Sequence, residues 1–211
     1  MPRIHDVFLE SAGAVRDLLA SPSVAECWDH RSALLDLTVG ALAGHTARAA
    51  IVVESYLDGP PPGAVHPLTA AQYYDRVLDP SHSSPANVGV RQRGAELGRL
   101  GQERLVAELG AAVQRLRTRL RTEPEDRELR VAEGIPMRLG DYLVTRIVEL
   151  TVHADDLAVS AGMPGPVLPP NAIEVSIRIA VDIARIRHGD LAVLRALSRR
   201  ERQSPDILCV F

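Results

Sequence analysis

No lysine occurs anywhere in the chain; all 24 basic residues are arginine. Together with heavy alanine use, this points to high-GC coding rather than to selection for a polyanionic partner. Aromatic residues make up only 3%, too few for the base-stacking surface that single-stranded nucleic acids require. The net charge is −3, so no overall field draws the chain to nucleic acid or to anionic membrane. Cysteine is limited to Cys27 and Cys209, far apart in sequence. They form neither a metal knuckle nor a disulfide framework, and a reducing cytoplasm is the expected compartment. No apolar run approaches the roughly 20 residues that span a bilayer. The opening MPRIHDVFLE lacks the apolar segment of a signal peptide. These absences predict a cytoplasmic protein with a small-molecule partner, no nucleic acid and no membrane, with homodimerisation left open.

What the chain does contain is apolar material, 46% of its 211 residues. That suffices for a sizeable core of Ala, Leu, Val and Ile in one domain of generous size, or one domain with an extension. Apolar spacing predicts helices over 4–20, from Ser32 as N-cap to Leu57, and over 70–78, 88–121, 141–157, 172–188 and 190–202. DGPPPG and TEPEDRE break the pattern, and RELRVAEGIPM within 127–138 reads as an extended passage or short hairpin. Four long helices with few convincing strands predict an all-α, up-and-down four-helix bundle. The loop MPGPVLPP divides the bundle, 1–166, from a short C-terminal helical extension, 167–211, with a short strand at ILCVF.

The stretch DYLVTRIVELTVHADDL, residues 141–157, is the most informative. Glu149 and His153 lie four residues apart, one above the other on a helix face. Tyr142, Arg146 and Asp156 fall on the same stripe. Leu143, Ile147, Leu150, Ala154 and Leu157 border it on one side, and Val144, Val148 and Val152 on the other. A solvent-facing stripe has an apolar flank on one side only, so this helix is expected to be central, with its charges turned into the protein. Buried charge is costly unless paired or metal-bound.

His45 lies on the apolar stripe of the second predicted helix, with Leu35, Leu42, Ala49 and Val52. A lone histidine there is more often a satisfied core residue than a ligand. The Glu149/His153 pair alone is equally compatible with a helix contact of about 0.3 kcal/mol. Together they supply two histidines and one carboxylate from facing helices. With a position left for water or substrate, that is the composition of a catalytic zinc site. Asp156, one turn beyond His153, suits an acceptor for the other imidazole N–H, against the plainer reading of a surface carboxylate. Arg146 and Tyr142 are expected to line the pocket, Arg146 facing an anionic group.

Other candidates are weaker. His66 and His82 lie in proline-rich loops and are expected to be solvated, with a fourth-ligand role for His82 the remote alternative. Arg115, Arg117, Arg119 and Arg121 spread around their helix beside an acidic segment, unlike the single basic face of a nucleic-acid footprint. Cys27 as a nucleophile would need His30, three residues away, as its base, and no defined element holds the two together there.

GALAGH around His45 and YLVTRIVELTVHADDLA around Glu149 and His153 resemble the metal-site segments of the DinB-like bundle superfamily, most closely its mycothiol-dependent maleylpyruvate isomerase branch. The similarity extends to Trp28, to Tyr73 and Tyr74, to RQRGAELG from Arg91, and to RHGDLAVLRALSRRER near the end. The resemblance implies a divalent metal, usually zinc, bound by His45, Glu149 and His153. It also implies mycothiol, the low-molecular-weight thiol of actinobacteria, as cosubstrate, with the metal activating its thiol. The expected activity is that of a thiol-using transferase or isomerase acting on a small electrophile; the alternative is a non-catalytic bundle that binds metal or a small ligand. The isomerases carry a further α/β domain that helps hold substrate, whereas about 40 residues follow the proline loop here.

Overall fold

The computed structural model describes residues 2–63, 66–78, 85–198, 201 and 205–210. Four long helices form a ring: α1 (Ile4–Leu19), α3 (Val39–Ile51), α7 (Gln102–Arg119) and α8 (Leu139–Ser160). α1 packs on α8, α8 on α3, α3 on α7, and α7 back on α1. The protein is therefore an all-α four-helix bundle, and α3 and α8 are neighbours within it. Phe8, Leu42, Leu109, Leu116, Leu143, Ile147 and Leu150 fill the interior. A hairpin of β1 (Glu128–Arg130) and β2 (Pro136–Arg138) lies within the expected 127–138. Its register sets Leu129 opposite Met137, both buried. After the proline loop, α9 (Pro170–His188) lies against α8 and α5 (Ala70–Val77), and buries Ala172, Ile183 and Ala184.

Several expectations need correction. The helix predicted from Ser32 begins at Val39, capped by Thr38, whose Oγ1 accepts from the Ala41 N–H at 3.1 Å. Asp36 at φ 60° takes the left-handed conformation that a helix cannot continue through. Ser32 closes a local turn instead, accepting from the Leu34 N–H at 3.2 Å, and Leu35 is exposed rather than on the His45 stripe. Upstream, between the helices predicted over 4–20 and from Ser32, lies a one-turn helix, α2 (Pro22–Glu26), with Ser21 as N-cap. The far end is also divided, α3 giving way after Val52 to the short α4 (Val53–Leu57).

The helix predicted over 88–121 is two helices, α6 (Pro85–Gly98) and α7, parted at Gly101 with φ 80°. Leu100 is 36% exposed at that break. At the other end, α10 (Asp190–Ser198) covers the described part of the expected 190–202; Arg199, Arg200 and Arg202 lie outside the described residues. Ile207 and Leu208 belong to a helical turn, α11 (Pro205–Leu208), not to a strand. Arg115 and Arg119 pair with Glu54 and Asp58 at 2.7 and 2.6 Å, tying α7 to the α4 region.

α6 is set against α3 by glycines. A Cβ on Gly44 would lie 2.2 Å from the Gly94 carbonyl oxygen, and one on Gly98 would lie 2.3 Å from that of Gly40. Two small-residue faces, Gly40/Gly44 and Gly94/Gly98, thus meet backbone to backbone. Trp28 covers Gly40 and donates from Nε1 to the Gly98 carbonyl at 3.3 Å. Gly44→Ala ought to gain about 1 kcal/mol in helix propensity. The clash with backbone atoms decides the sign: we expect a net loss of at least about 2 kcal/mol in chemical denaturation. Gly110→Ala on α7, where the nearest atom is a flexible Arg16 carbon at 3.6 Å, should instead be neutral or mildly stabilising. Equal stability of the two variants would contradict the close approach.

Candidate metal centre

α8 is the ring's central polar element. Leu143, Ile147, Leu150, Ala154 and Leu157 are fully buried on one flank of its stripe. On the other, Val148 is buried and Val144 and Val152 half-buried. The stripe between them faces α3, where His45 points back from the opposite helix.

His45 Nε2 and His153 Nε2 stand 3.1 Å apart, and each lies 3.4 Å from Glu149 Oε2. The imidazoles meet edge to face at 4.7 Å and 75°. A hydrogen bond between an imidazolium and a carboxylate draws in to about 2.7–2.9 Å, so the 3.4 Å edges are long for that purpose. Ligand atoms around a tetrahedral ion at about 2.0–2.2 Å are spaced about 3.3–3.6 Å from one another. The donor triangle has nearly that size, and its chemistry, two imidazoles and a carboxylate, suits a divalent cation. Among the described residues these three form the group whose ligand atoms lie within 4.8 Å of one another. Each side chain keeps about one fifth of its surface exposed, 19–20%, so the triangle opens to the outside.

Outer contacts fix the three side chains. The Asp156 carboxylate accepts from His153 Nδ1 at 2.9 Å, which turns Nε2 toward the triangle. The buried Tyr74 of α5 lies with its hydroxyl 3.0 Å from Glu149 Oε1 and 2.8 Å from the Thr145 carbonyl. Gly94 of α6 lies beside the His45 backbone, where a Cβ would come 2.8 Å from that of His45. Arg146, one turn before Glu149, rests with Cζ 5.0 Å from the Tyr142 ring and donates from Nε to Thr145 Oγ1 at 3.1 Å. Tyr142 is buried and packs edge-on against Tyr56 at 5.3 Å.

The electrostatics follow from this crowding. Burial depresses the His45 pKa, and the neighbouring His153 adds to the effect against the pull of Glu149. Burial also works against charge on His153, but Asp156 and Glu149 outweigh it and raise its pKa to about 9. Burial opposes ionisation of Glu149 too. The imidazoles of His153 and His45 close beside it and the charge of Arg146 overcome it and hold the carboxyl well below its usual range. Burial likewise disfavours charge on Arg146, yet Tyr142 and Glu149 beside it keep it protonated. Burial first, and the Glu149 charge second, hold the Tyr74 phenol well above its ordinary value, so it remains a donor. The metal-free cluster is thus one neutral imidazole, one imidazolium and one carboxylate.

The structure brings His45, Glu149, His153 and Asp156 together, and sets Arg146 and Tyr142 along the same helix below them. His66 is exposed, and His82 lies outside the described residues. Cys27 and His30 meet through a backbone turn, the His30 N–H donating to the Cys27 carbonyl at 2.8 Å. Spacing could not have found Tyr74 or Gly94, because each reaches the centre from a separate helix. The Tyr73–Tyr74 pair and the RQRGAELG segment were legible only as points of resemblance.

No curated protein matches the sequence. Among solved structures, that of the mycothiol-dependent maleylpyruvate isomerase is similar, with a TM-score of 0.50 and 20% identity, over 86% of this chain and 71% of that one. At that identity the likeness speaks for the shared fold. The model of the mycothiol maleylpyruvate isomerase N-terminal domain matches residues 8–158, from within α1 to within α8. That span contains all three converging side chains, and the chain belongs to the mycothiol maleylpyruvate isomerase N-terminal domain family.

Proposed function

We propose that this protein is a metal-dependent, mycothiol-using transferase or isomerase acting on a small electrophilic substrate. His45, Glu149 and His153 hold a divalent ion, most simply zinc, and the bundle of residues 1–166 carries the site, with 167–211 as a helical extension. The donor triangle supports this most directly: its edges of 3.1–3.4 Å suit ligands to one ion better than hydrogen bonds to one another. When bound, the ion would act as a Lewis acid that lowers the pKa of the thiol, so that thiolate forms at neutral pH. Asp156 keeps His153 in the tautomer that presents Nε2. Arg146, held charged, places a positive group one turn from the centre, where it can receive an anionic part of the substrate. Tyr142 forms the wall beneath it. Among the described residues no helix is long and apolar enough to cross a membrane, in keeping with a small-molecule enzyme of the cytoplasm.

The test is metal content in protein purified without chelator, followed by turnover of electrophiles with and without mycothiol and metal. We expect about one ion per chain and turnover only when both are present. Metal bound by the native state alone adds RT ln(1 + [L]/Kd), about 2.7 kcal/mol at a hundredfold excess over Kd. Chelation should therefore lower the melting temperature, and His153→Ala should remove that difference. Metal bound without any mycothiol-dependent turnover would leave a non-catalytic ligand-binding bundle.

A further inference from the structure

We infer that Tyr74 is a positioning residue: it holds Glu149 by one carboxylate oxygen so that only the other is presented to the metal. The inference rests on the metal-binding role proposed above. A carboxylate has two equivalent oxygens, and rotation about its last bond exchanges them at little cost. Here they are not equivalent. Oε1 lies 3.0 Å from the Tyr74 hydroxyl, whereas Oε2 lies 3.4 Å from both imidazole nitrogens.

The hydroxyl has one proton and two acceptors in reach, Glu149 Oε1 at 3.0 Å and the Thr145 carbonyl at 2.8 Å, and the charged carboxylate draws it more strongly. The Thr145 carbonyl is also the helical acceptor for the N–H of Glu149, four residues on. Tyr74 therefore grips α8 at the very turn that carries Glu149, and its side chain is only 1% exposed. α5 cannot easily shift away. Thr69 and Gln72 close its first turn as a capping box, and the Ala70 N–H donates to Asp141 Oδ1 on α8 at 3.1 Å. Two hydrogen-bonded points, at Asp141 and at Thr145/Glu149, thus lock α5 along α8.

The consequence concerns the fourth direction at the centre. A carboxylate free to rotate can offer both oxygens to a divalent ion and fill the position that a thiol or substrate needs. With Oε1 occupied by the phenol, Glu149 supplies one donor atom and the open position stays open. Outer partners of metal ligands typically contribute 10–100-fold to affinity, and Tyr74 is of this kind.

Tyr74→Phe keeps the buried ring and removes the hydroxyl. We expect metal affinity, measured by competition with a chromophoric chelator, to fall roughly 10–100-fold. In the cobalt-loaded variant the visible absorption should weaken, as Oε1 joins the coordination sphere and the site leaves tetrahedral geometry. A merely structural role would lower the melting temperature of metal-free protein and leave affinity and cobalt spectrum unchanged, and that result overturns the inference. Should the variant not fold, a structure of the cobalt-loaded wild type decides: both Glu149 oxygens within bonding distance of the ion would overturn it, one supports it. Wild-type protein that takes up no metal rejects the metal-site reading itself, whatever Tyr74→Phe does.

Discussion

Metal affinity is expected to rise about tenfold per pH unit between pH 7 and 9, with about one proton released per ion bound. The cause is His153, whose pKa in the metal-free fold stands at about 9. An imidazole can ligate only when neutral, so an arriving ion must displace the proton that Asp156 and Glu149 retain there. His45, with its lowered pKa, is already neutral near pH 7 and releases none. Below its pKa the slope should steepen toward two protons. The stability of metal-free protein should move the opposite way. His153 titrates near 6.5 when unfolded and near 9 when folded. Its contribution is therefore complete below pH 6.5 and is lost as pH rises through 9. The shift corresponds to about 3 kcal/mol at most. Glu149 acts at the acid end: its depressed pKa stabilises the fold above pH 4.5, and that stability is lost as pH falls through the folded value. Calorimetry of metal binding in two buffers, and melting curves of metal-free protein from pH 5 to 9, measure both trends. Affinity independent of pH across that range would contradict the charge state assigned to His153.

How far such a centre can be read in advance depends on whether its parts share a helix. Glu149, His153, Asp156, Arg146 and Tyr142 all lie on α8, where the 3.6-residue period fixes their common face. The apolar flanks on both sides revealed that this face looks inward. His45 is over 100 residues away, and its periodicity alone fitted a core histidine equally well. Only its pairing with the α8 residues, and the GALAGH resemblance, set it apart. The helix boundaries were less legible for local reasons. Ser32 and Thr38 are both good N-caps, and nothing in the pattern announces that Asp36 turns left-handed between them. An isolated glycine is tolerated within helices, so Gly101 did not interrupt a leucine pattern that carried on beyond it. The α3–α6 contact was hidden more deeply, since Gly40, Gly44, Gly94 and Gly98 carry no apolar signal. Their role is to let two backbones touch. Tyr74 is the same kind of omission: an aromatic residue in a short helix reads as core until its hydroxyl is seen against Glu149.

Glu149→Gln is expected to lose metal affinity and activity together, by more than the 10–100-fold that outer partners command. The amide is neutral, and a neutral oxygen is a weaker donor to a divalent cation than a carboxylate. A general-base role for Glu149 predicts something different: the same substitution would then leave metal content intact and abolish turnover alone. The geometry favours the ligand role, because Oε2 is equidistant, at 3.4 Å, from the two nitrogens it would share the ion with. Titrating mycothiol into metal-loaded wild-type protein completes the comparison. Binding should release a proton, detected as a heat that varies with buffer ionisation enthalpy, because the bound species is the anion. Glu149→Gln protein that retains its metal while losing turnover would return Glu149 to the role of base. Mycothiol binding without proton release, or none at millimolar thiol, would leave the centre a metal site without thiol chemistry.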